Sequence, residues 1–347
     1  MTFQTREDSL IISVIITAFN RKRFLRDAIL SALNQTLPKS QYEILVIRNF
    51  RDKAIDDLIE KAGAISIVEG DKTIGEYLSI AVERCVGDVL AFLDDDDQFS
   101  TDKLEHLYSW FDRDPEAGYF HNDVSYIDEH GLQMTVHGFR KRWTNRMQKI
   151  GGFSVEEPLD IDDANKLVKT GAYFNLSSIA IRKKIALERI DYLRLIEMSP
   201  DPFMFFSSLL SRCRCRIDPR ALTSRRVHDM NLSVFTHQPK AGITARQLDF
   251  LAKDARCFEI MLRMQNNSGL SKNARKILLY ELWQRRMLLS MLAAGSSKSK
   301  ILAESFKGSK YLFSATILPW LKVVAGSVIY SLSAKLGRVL FQRVTTK

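Results

Sequence analysis

Strand-like and helix-like segments alternate four times within about 95 residues near the start of the chain, and this alternation constrains the fold more than any other feature. Leu10 to Thr17 (LIISVIIT) is a β-branched apolar run of the kind that forms a strand buried on both faces. Ala18-Phe19-Asn20 turns the chain, with Asn20 placed to cap a helix. That helix has apolar pairs Phe24/Leu25, Ala28/Ile29 and Ala32/Leu33 spaced by four, and Pro38 lies beyond its end. Tyr42–Ile47 reads as a second buried strand, Ile55–Ala62 as a short helix, Ala64–Val68 as a third strand, Ile74–Cys85 as a helix and Val89–Leu93 as a fourth strand. Such alternation specifies an α/β protein with an open, mostly parallel sheet flanked by helices. Sheets of this kind bind ligands in the crevice beyond the C-terminal ends of their strands. Two strand ends therefore matter most: Thr17-Ala18-Phe19-Asn20 and Asp94-Asp95-Asp96-Asp97.

Beyond residue 117 the pattern loosens. Short strands (Gly118–His121, Ser177–Ile181, Arg214–Ile217) mix with helices (Lys183–Arg189, Pro202–Ser211), as in an α+β continuation of the same domain. From Ile243 to Ala294 two long helices are expected, broken near Asn266-Asn267-Ser268-Gly269, and a hinge-like linker, GSSKSK, follows at 295–300.

The chemistry concentrates in Phe92-Leu93-Asp94-Asp95-Asp96-Asp97. Four adjacent carboxylates after a buried strand repel one another unless a cation sits among them. A hard divalent ion with oxygen ligands, Mg²⁺ or Mn²⁺, suits such a site. The competing reading is a solvated acidic loop or helix start, where acids suit the macrodipole. No GxxxxGK[ST] and no GxGxxG follows the first strand, which disfavours NTP hydrolases and nicotinamide enzymes. The four cysteines, Cys85, Cys213, Cys215 and Cys257, form no CxxC pair and are expected as reduced thiols.

SVIITAFNRKRFLRDAILSALNQT at 13–36 and GDVLAFLDDDD at 87–97 resemble the opening and the acidic motif of the family 2 inverting glycosyltransferases, which have the GT-A nucleotide-diphosphate-sugar transferase fold. The resemblance runs from about residue 10 to 235. It implies that Thr17, Phe19 and Arg21 stand where the family binds the nucleotide base and ribose. It also implies that Asp94 and Asp96 end the DxD motif, with Asp96 a metal ligand, Asp94 and Asp95 beside the nucleotide sugar and Asp97 an additional acid. Pro200-Asp201-Pro202-Phe203 resembles the family's acidic segment that supplies the base for the acceptor hydroxyl, so Asp201 is the candidate base and Glu197 its reserve. The residues alone favour helix capping by Asp201, with Pro202 at the first helical position, and the two roles are compatible. Arg225-Arg226-Val227-His228 with Asn231-Leu232-Ser233 resembles the terminal motif of the catalytic domain. There His228 is expected at the metal or diphosphate, and Arg225 or Arg226 to offset leaving-group charge. Two departures mark an unusual branch. The family's acid after the second strand is replaced by IRNFRD at 47–52, where Asn49 is expected to take the base contact. Its G-x-x-x-A-R-N segment is absent, leaving Gly75 and Glu76 as neighbours of the site.

The formal net charge of +10 is uneven: residues 296–347 hold nine basic side chains and one acid, Glu304, a net of +8, which leaves +2 for the other 295 residues. A nucleic-acid binder spreads its charge over the domain that reads the polymer, so none is expected here. Tyr311–Ala334 is a 24-residue stretch with one charge, Lys322, and Pro319 with Lys322 divides it into halves suited to a re-entrant or interfacial element. Val328, Ile329, Leu332, Leu336, Val339, Leu340 and Val344 then fall on one helical face and Ser331, Lys335, Arg338 and Gln342 on the other, as in a basic helix lying among lipid headgroups. The alternative is a helix pair packed on the body or on a second copy of the chain, making a homo-oligomer.

The expected organisation is a catalytic domain at 1–235 (nucleotide-binding half 1–115, acceptor half 116–235), a helical extension at 236–295 and a basic, apolar membrane-associating tail at 296–347. The expected activity is metal-dependent transfer from a UDP- or GDP-linked sugar to a saccharide, lipid-linked saccharide or polyprenyl phosphate at the cytoplasmic face of the membrane. The rival readings are a nucleotidyltransferase, which releases pyrophosphate, and a catalytically silent membrane-associated binding module on the same scaffold.

Overall fold

The computed structural model describes residues 9–135, 146–229, 245–265, 269–292, 297–312 and 314–332. Asn231 and Ser233 of the expected terminal motif, and the tail beyond residue 332, lie outside these. The nucleotide half alternates β1 (Ile12–Ala18), α1 (Leu25–Leu33), β2 (Tyr42–Arg48), α2 (Lys53–Lys61), β3 (Ile65–Val68), α3 (Ile74–Arg84) and β4 (Val89–Asp94). Then come β5 (Gln98–Phe99), α4 (Lys103–Arg113), β6 (Ala117–Ile127), β7 (Phe153–Val155), α5 (Ile161–Thr170), β8 (Ile179–Arg182), α6 (Lys183–Leu187), α7 (Ile190–Arg194), α8 (Pro200–Leu210) and β9 (Arg214–Arg226). Helices α9 (Ala245–Met264), α10 (Lys272–Leu292), α11 (Lys298–Lys307) and α12 (Ser314–Leu332) follow.

The strands form one nine-stranded sheet in the order β3-β2-β1-β4-β8-β6-β9-β5, with β7 also on β9. β3, β2, β1 and β4 run parallel, and β8 is antiparallel to both β4 and β6. Thr17 pairs with Ile47 on one side and Asp94 on the other, so both informative strand ends open at one edge. The continuous apolar runs reflect burial on both faces. Ile12, Val14 and Ile16 enter one core layer with Val89, Ala91 and Leu93, while Ile15, Leu90 and Phe92 enter the other.

Several boundaries differ from the sequence reading. β6 and β9 run far beyond their expected fragments because further buried polar residues (Asn122, Asp123, Asp218) continue the pairing. Asn20 is no helix cap: it takes φ 52°, its N–H donates to Asn49 Oδ1 at 2.8 Å, and α1 begins only at Leu25. α12 runs through Pro319 rather than dividing there. Pro319 is its sixth residue, near the end where few intrahelical bonds are lost.

α9 and α10 belong to the larger core layer through Ala255, Phe258, Met261, Ile277, Leu278 and Leu282. α12 sits apart, with Val323 in a smaller cluster with Tyr280, Trp283, Met287, Met291 and Ile301. Among the described residues, no helix is long and apolar enough to cross a membrane.

Two close approaches demand glycine. A Cβ at Gly87 would lie 2.5 Å from Ser13 Oγ and 2.7 Å from Ser13 N. One at Gly75 would lie 2.0 Å from the carbonyl oxygen of Leu193 and 2.6 Å from that of Ile196. Gly75 N–H donates to the same Ile196 oxygen at 2.9 Å, which ties α3 to the segment leading into α8. Gly75→Ala is therefore expected to destabilise the fold by about 2 kcal/mol through backbone displacement, as read by urea denaturation.

Candidate active site

At the end of β4, Asp94, Asp96 and Asp97 bring one oxygen each to within 4.8 Å of one another. All four acids are held by residues distant in sequence. Arg21 is bound to Asp95 through a charge-assisted bond and reaches Asp96 Oδ2 at 3.1 Å. His228 Nε2 lies 3.0 Å from the same oxygen, its ring tilted against Phe24 at 4.9 Å. Asp94 N–H donates to Ser177 Oγ at 3.0 Å. Arg226 N–H donates to Asp97 Oδ1 at 3.0 Å, and its guanidinium to the Asp96 carbonyl at 3.0 Å and to Asp27 at 2.9 Å.

Burial pushes Asp94 well above the usual carboxylate range, and the three neighbouring acids add to it. Burial likewise raises Asp95 to about 7 against the pull of Arg21, and raises Asp97 to about 6 with help from Asp96. Asp96 moves the other way. Burial opposes its ionisation, but the His228 hydrogen bond and the charge of Arg21 outweigh it. Three clustered carboxylates with an adjoining imidazole are hard oxygen donors and one nitrogen, a set that fits Mg²⁺ or Mn²⁺.

The structure departs from the sequence reading at several positions here. Arg21 and Asp95, expected on the nucleotide, are turned to each other because the surplus acid attracts the guanidinium. Arg226 is fully buried, its guanidinium 4.5 Å from the centre of the Phe24 ring, so it braces the acidic loop and does not face a leaving group. Arg225 is the arginine of that pair whose charge acts on Asp96 and Asp97.

The nucleotide side lies at the ends of β1 and β2. Thr17 is buried beside Asp94, while Phe19 is 44% exposed, an aromatic face open at the mouth of the crevice. Asn49 Nδ2 donates to Asn20 Oδ1 at 2.9 Å and to Asp71 Oδ1 at 2.8 Å. Asp71, overlooked in the sequence, thus supplies an acid beside the segment that lacks one. Gly75 and Glu76 are explained by structure: the first by the close approach described above, the second by a capping box. Thr73 N–H donates to Glu76 Oε2 at 2.8 Å and Glu76 N–H to Thr73 Oγ1 at 3.2 Å.

On the other side, Asp201 stands in the first turn of α8, and its Oδ2 accepts the N–H of Asn175 at 2.8 Å. Burial pushes it up to about 7, with the Asn175 bond pulling back and Asp254 pushing further. Asn175 and Ser177 are two residues apart, so one short segment touches both Asp201 and Asp94. Neither carried a sequence signal. Glu197 is paired with Arg256 of α9 at 2.9 Å.

The sheet order and the acidic cluster at its strand ends define a GT-A fold with a helical C-terminal region. Residues 13–189 match the family described as Glycosyl transferase family 2, and the chain belongs to that family. An uncharacterized glycosyltransferase of Haemophilus influenzae is 32% identical over 100 residues, covering 27% of this chain and 40% of that protein. Glycosyltransferase AglE of Haloferax volcanii is 30% identical over 91 residues, covering 24% of this chain and 30% of its own. The matches thus span less than half the length of these relatives. The structure of S. aureus TarS residues 1–349 in complex with UDP-GlcNAc superposes with a TM-score of 0.60 at 14% identity, covering 97% of this chain and 90% of that one. The corresponding UDP complex gives 0.58 at 12% identity with the same coverage.

A binding test follows from the acidic cluster. Mn²⁺ at about a hundred times its Kd is expected to stabilise the protein by about 2.7 kcal/mol, and Asp96→Ala to abolish the rise in Tm. An equal Mn²⁺ response in Asp96→Ala would remove Asp96 from the site.

Proposed function

We propose that this protein is a metal-dependent, inverting glycosyltransferase that moves a sugar from a UDP-linked donor to an acceptor hydroxyl or phosphate. One observation carries the reading: a single short segment, 175–177, hydrogen-bonds both the acidic cluster, through Ser177, and Asp201, through Asn175. A direct displacement with inversion needs these two groups on opposite sides of the sugar, charge for the leaving diphosphate and one base for the acceptor. UDP and UDP-GlcNAc in the TarS structures support a UDP-linked donor.

In this reading Asp96 and His228, with Asp94 and Asp97 beside them, would hold Mg²⁺ or Mn²⁺. Such an ion, when bound, would supply positive charge to offset that of the leaving diphosphate. Phe19 stacks on the nucleotide base, and Thr17 and Asn49 line the crevice around it. Arg225 adds cationic charge near the leaving group. Asp201 takes the acceptor proton as the acceptor oxygen attacks the anomeric carbon, whose bond to the diphosphate oxygen breaks to release the nucleoside diphosphate.

The acceptor is proposed to lie at an anionic membrane surface, as a lipid-linked saccharide or polyprenyl phosphate. The support is on α12. Thr316, Val323 and Ser327 are buried, whereas Ile317, Leu318, Leu321 and Val328 are exposed, within a tail of net charge +8. An exposed apolar stripe among cations suits the headgroup boundary.

A panel of UDP-, GDP- and TDP-sugars with Mn²⁺, scored for nucleoside diphosphate release, tests the donor. Asp201→Asn is expected to lower turnover by about 10²- to 10⁴-fold while leaving UDP-GlcNAc binding intact. Because the base works deprotonated and Asp201 sits near 7, turnover should climb as pH rises through about 7. An unimpaired Asp201→Asn enzyme means the base lies elsewhere. For the membrane, co-sedimentation with phosphatidylglycerol vesicles is expected, weakened by Leu318→Glu with Leu321→Glu. Equal pelleting with neutral and anionic vesicles, or none, overturns that part.

A further inference from the structure

The helical extension lies outside the strand–helix alternation, yet it holds the neighbours of Asp201 at two points. Arg285 of α10 is half-buried, its side chain 13% exposed. Its Nε donates to Asp254 Oδ2 of α9 at 2.5 Å, and its Nη1 donates to Glu281 Oε2 at 2.7 Å. Its guanidinium lies 4.1 Å from the Phe258 ring centre and 5.7 Å from that of Phe174. The other oxygen of Glu281 accepts the Tyr173 hydroxyl at 2.5 Å. Tyr173 and Phe174 lead directly into Asn175, whose N–H holds Asp201. From the opposite direction, Cys257 Sγ donates at 3.2 Å to the carbonyl of Ser199, a left-handed residue (φ 55°) two positions before Asp201.

The cluster is also unbalanced. Two carboxylates meet one guanidinium, and Asp254 Oδ1 is buried with no hydrogen-bond partner among the described residues. A tie that only fastened α10 to α9 would need one acid, and a second buried charge is a destabilising addition. We propose that Asp254, Glu281 and Arg285 form a positioning device for Asp201: Arg285 and Glu281 fix the Tyr173–Asn175 segment, and Asp254 sets the charge that Asp201 meets. This rests on the reading of Asp201 as the base.

The groups facing Asp201 can be named. The Asn175 N–H and its own N–H, at the start of α8, favour the carboxylate, and so does Arg285. Burial and the charge of Asp254 oppose it. Tyr119 of β6 and Cys257 of α9 also face it, and the nearby Glu197 is offset by Arg256. Among the charged side chains, Asp254 is the one that pushes Asp201 toward its protonated form.

The test uses the full chain labelled with [γ-¹³C]aspartate. The Asp201 carboxyl resonance is assigned by its loss in Asp201→Asn, then titrated in wild type and in Asp254→Asn. Removing the Asp254 charge is expected to move the Asp201 midpoint down by about one pH unit. The acid limb of UDP-GlcNAc hydrolysis with Mn²⁺ should move with it. Asp254→Ser removes the same charge with a smaller side chain and serves if Asp254→Asn does not fold. Arg285→Lys keeps the charge but loses the two-pronged bond, so kcat should fall about tenfold with the donor KM unchanged. An unmoved Asp201 midpoint in folded Asp254→Asn or Asp254→Ser protein overturns the electrostatic part, and an unchanged kcat in Arg285→Lys overturns the positioning part. Full turnover in Asp201→Asn instead removes the base assignment, and leaves the measured coupling between the carboxylates standing.

Discussion

Mutual repulsion among four carboxylates at the end of one buried strand is the constraint around which the rest of the molecule is arranged. Two unit charges about 5 Å apart interact by about 3 kcal/mol at the effective dielectric of a protein site. Asp94, Asp96 and Asp97 fall within that range of one another, and Asp95 adds a fourth charge. Every segment that meets the loop brings a donor or a cation. Arg21 comes from the turn after β1, Ser177 from the segment before β8, and Arg226 and His228 from the end of β9. Burial pushes Lys103 well below the usual lysine range while Asp97 pulls it back up, and its Nζ donates to the Ser177 carbonyl at 2.5 Å. The long β9 strand makes sense in these terms. Its parallel pairing with β6, continued to Ile127↔Arg226, carries Arg226 and His228 across the sheet to the end of β4.

The nucleotide half was legible because its signals are local. A strand buried on both faces must be apolar at every position, so β1, β2 and β4 stand out as unbroken runs. The acidic cluster was legible for the opposite reason, since four adjacent carboxylates cannot be an ordinary strand end. β6 and β9 outrun their sequence signals because Asn122, Asp123 and Asp218 break the pattern, and only the folded sheet shows that they remain buried. α4 did carry a signal, Leu104, Leu107 and Phe111 at helical spacing and all buried, which its charged neighbours masked. Asn175 and Ser177 carried none. Their partners, Asp201 and Asp94, lie 26 and 83 residues away, and a backbone N–H or a serine hydroxyl acquires its meaning only from the partner.

Arg226 illustrates a further limit. In sequence, two arginines beside a histidine read as equivalent cations for a leaving diphosphate. In the fold they differ in kind. Strand geometry sends adjacent side chains to opposite faces. Arg226 turns inward, where Asp27 and the carbonyls of Asp96, Asp128 and Glu129 take its donors. A buried guanidinium with its donors taken holds an acidic loop in shape before any ligand arrives. The same preorganisation brings His228 to hydrogen-bond distance of Asp96.

The helical extension is the last element to be drawn into this logic. α9 and α10 share a core layer with β1, β4 and α8, so the segment bearing Asp201 is enclosed on one side by the sheet and on the other by the extension. An acid so enclosed is not set by the sheet alone. Its backbone start is fixed by left-handed Ser199 and the prolines at 200 and 202, and its carboxylate by Asn175. What remains adjustable is the charge beyond that first contact, which α9 and α10 supply. The two halves of the site thus depend on different parts of the chain. The acidic cluster is balanced from within the sheet, and Asp201 is balanced by helices that the strand–helix alternation did not announce.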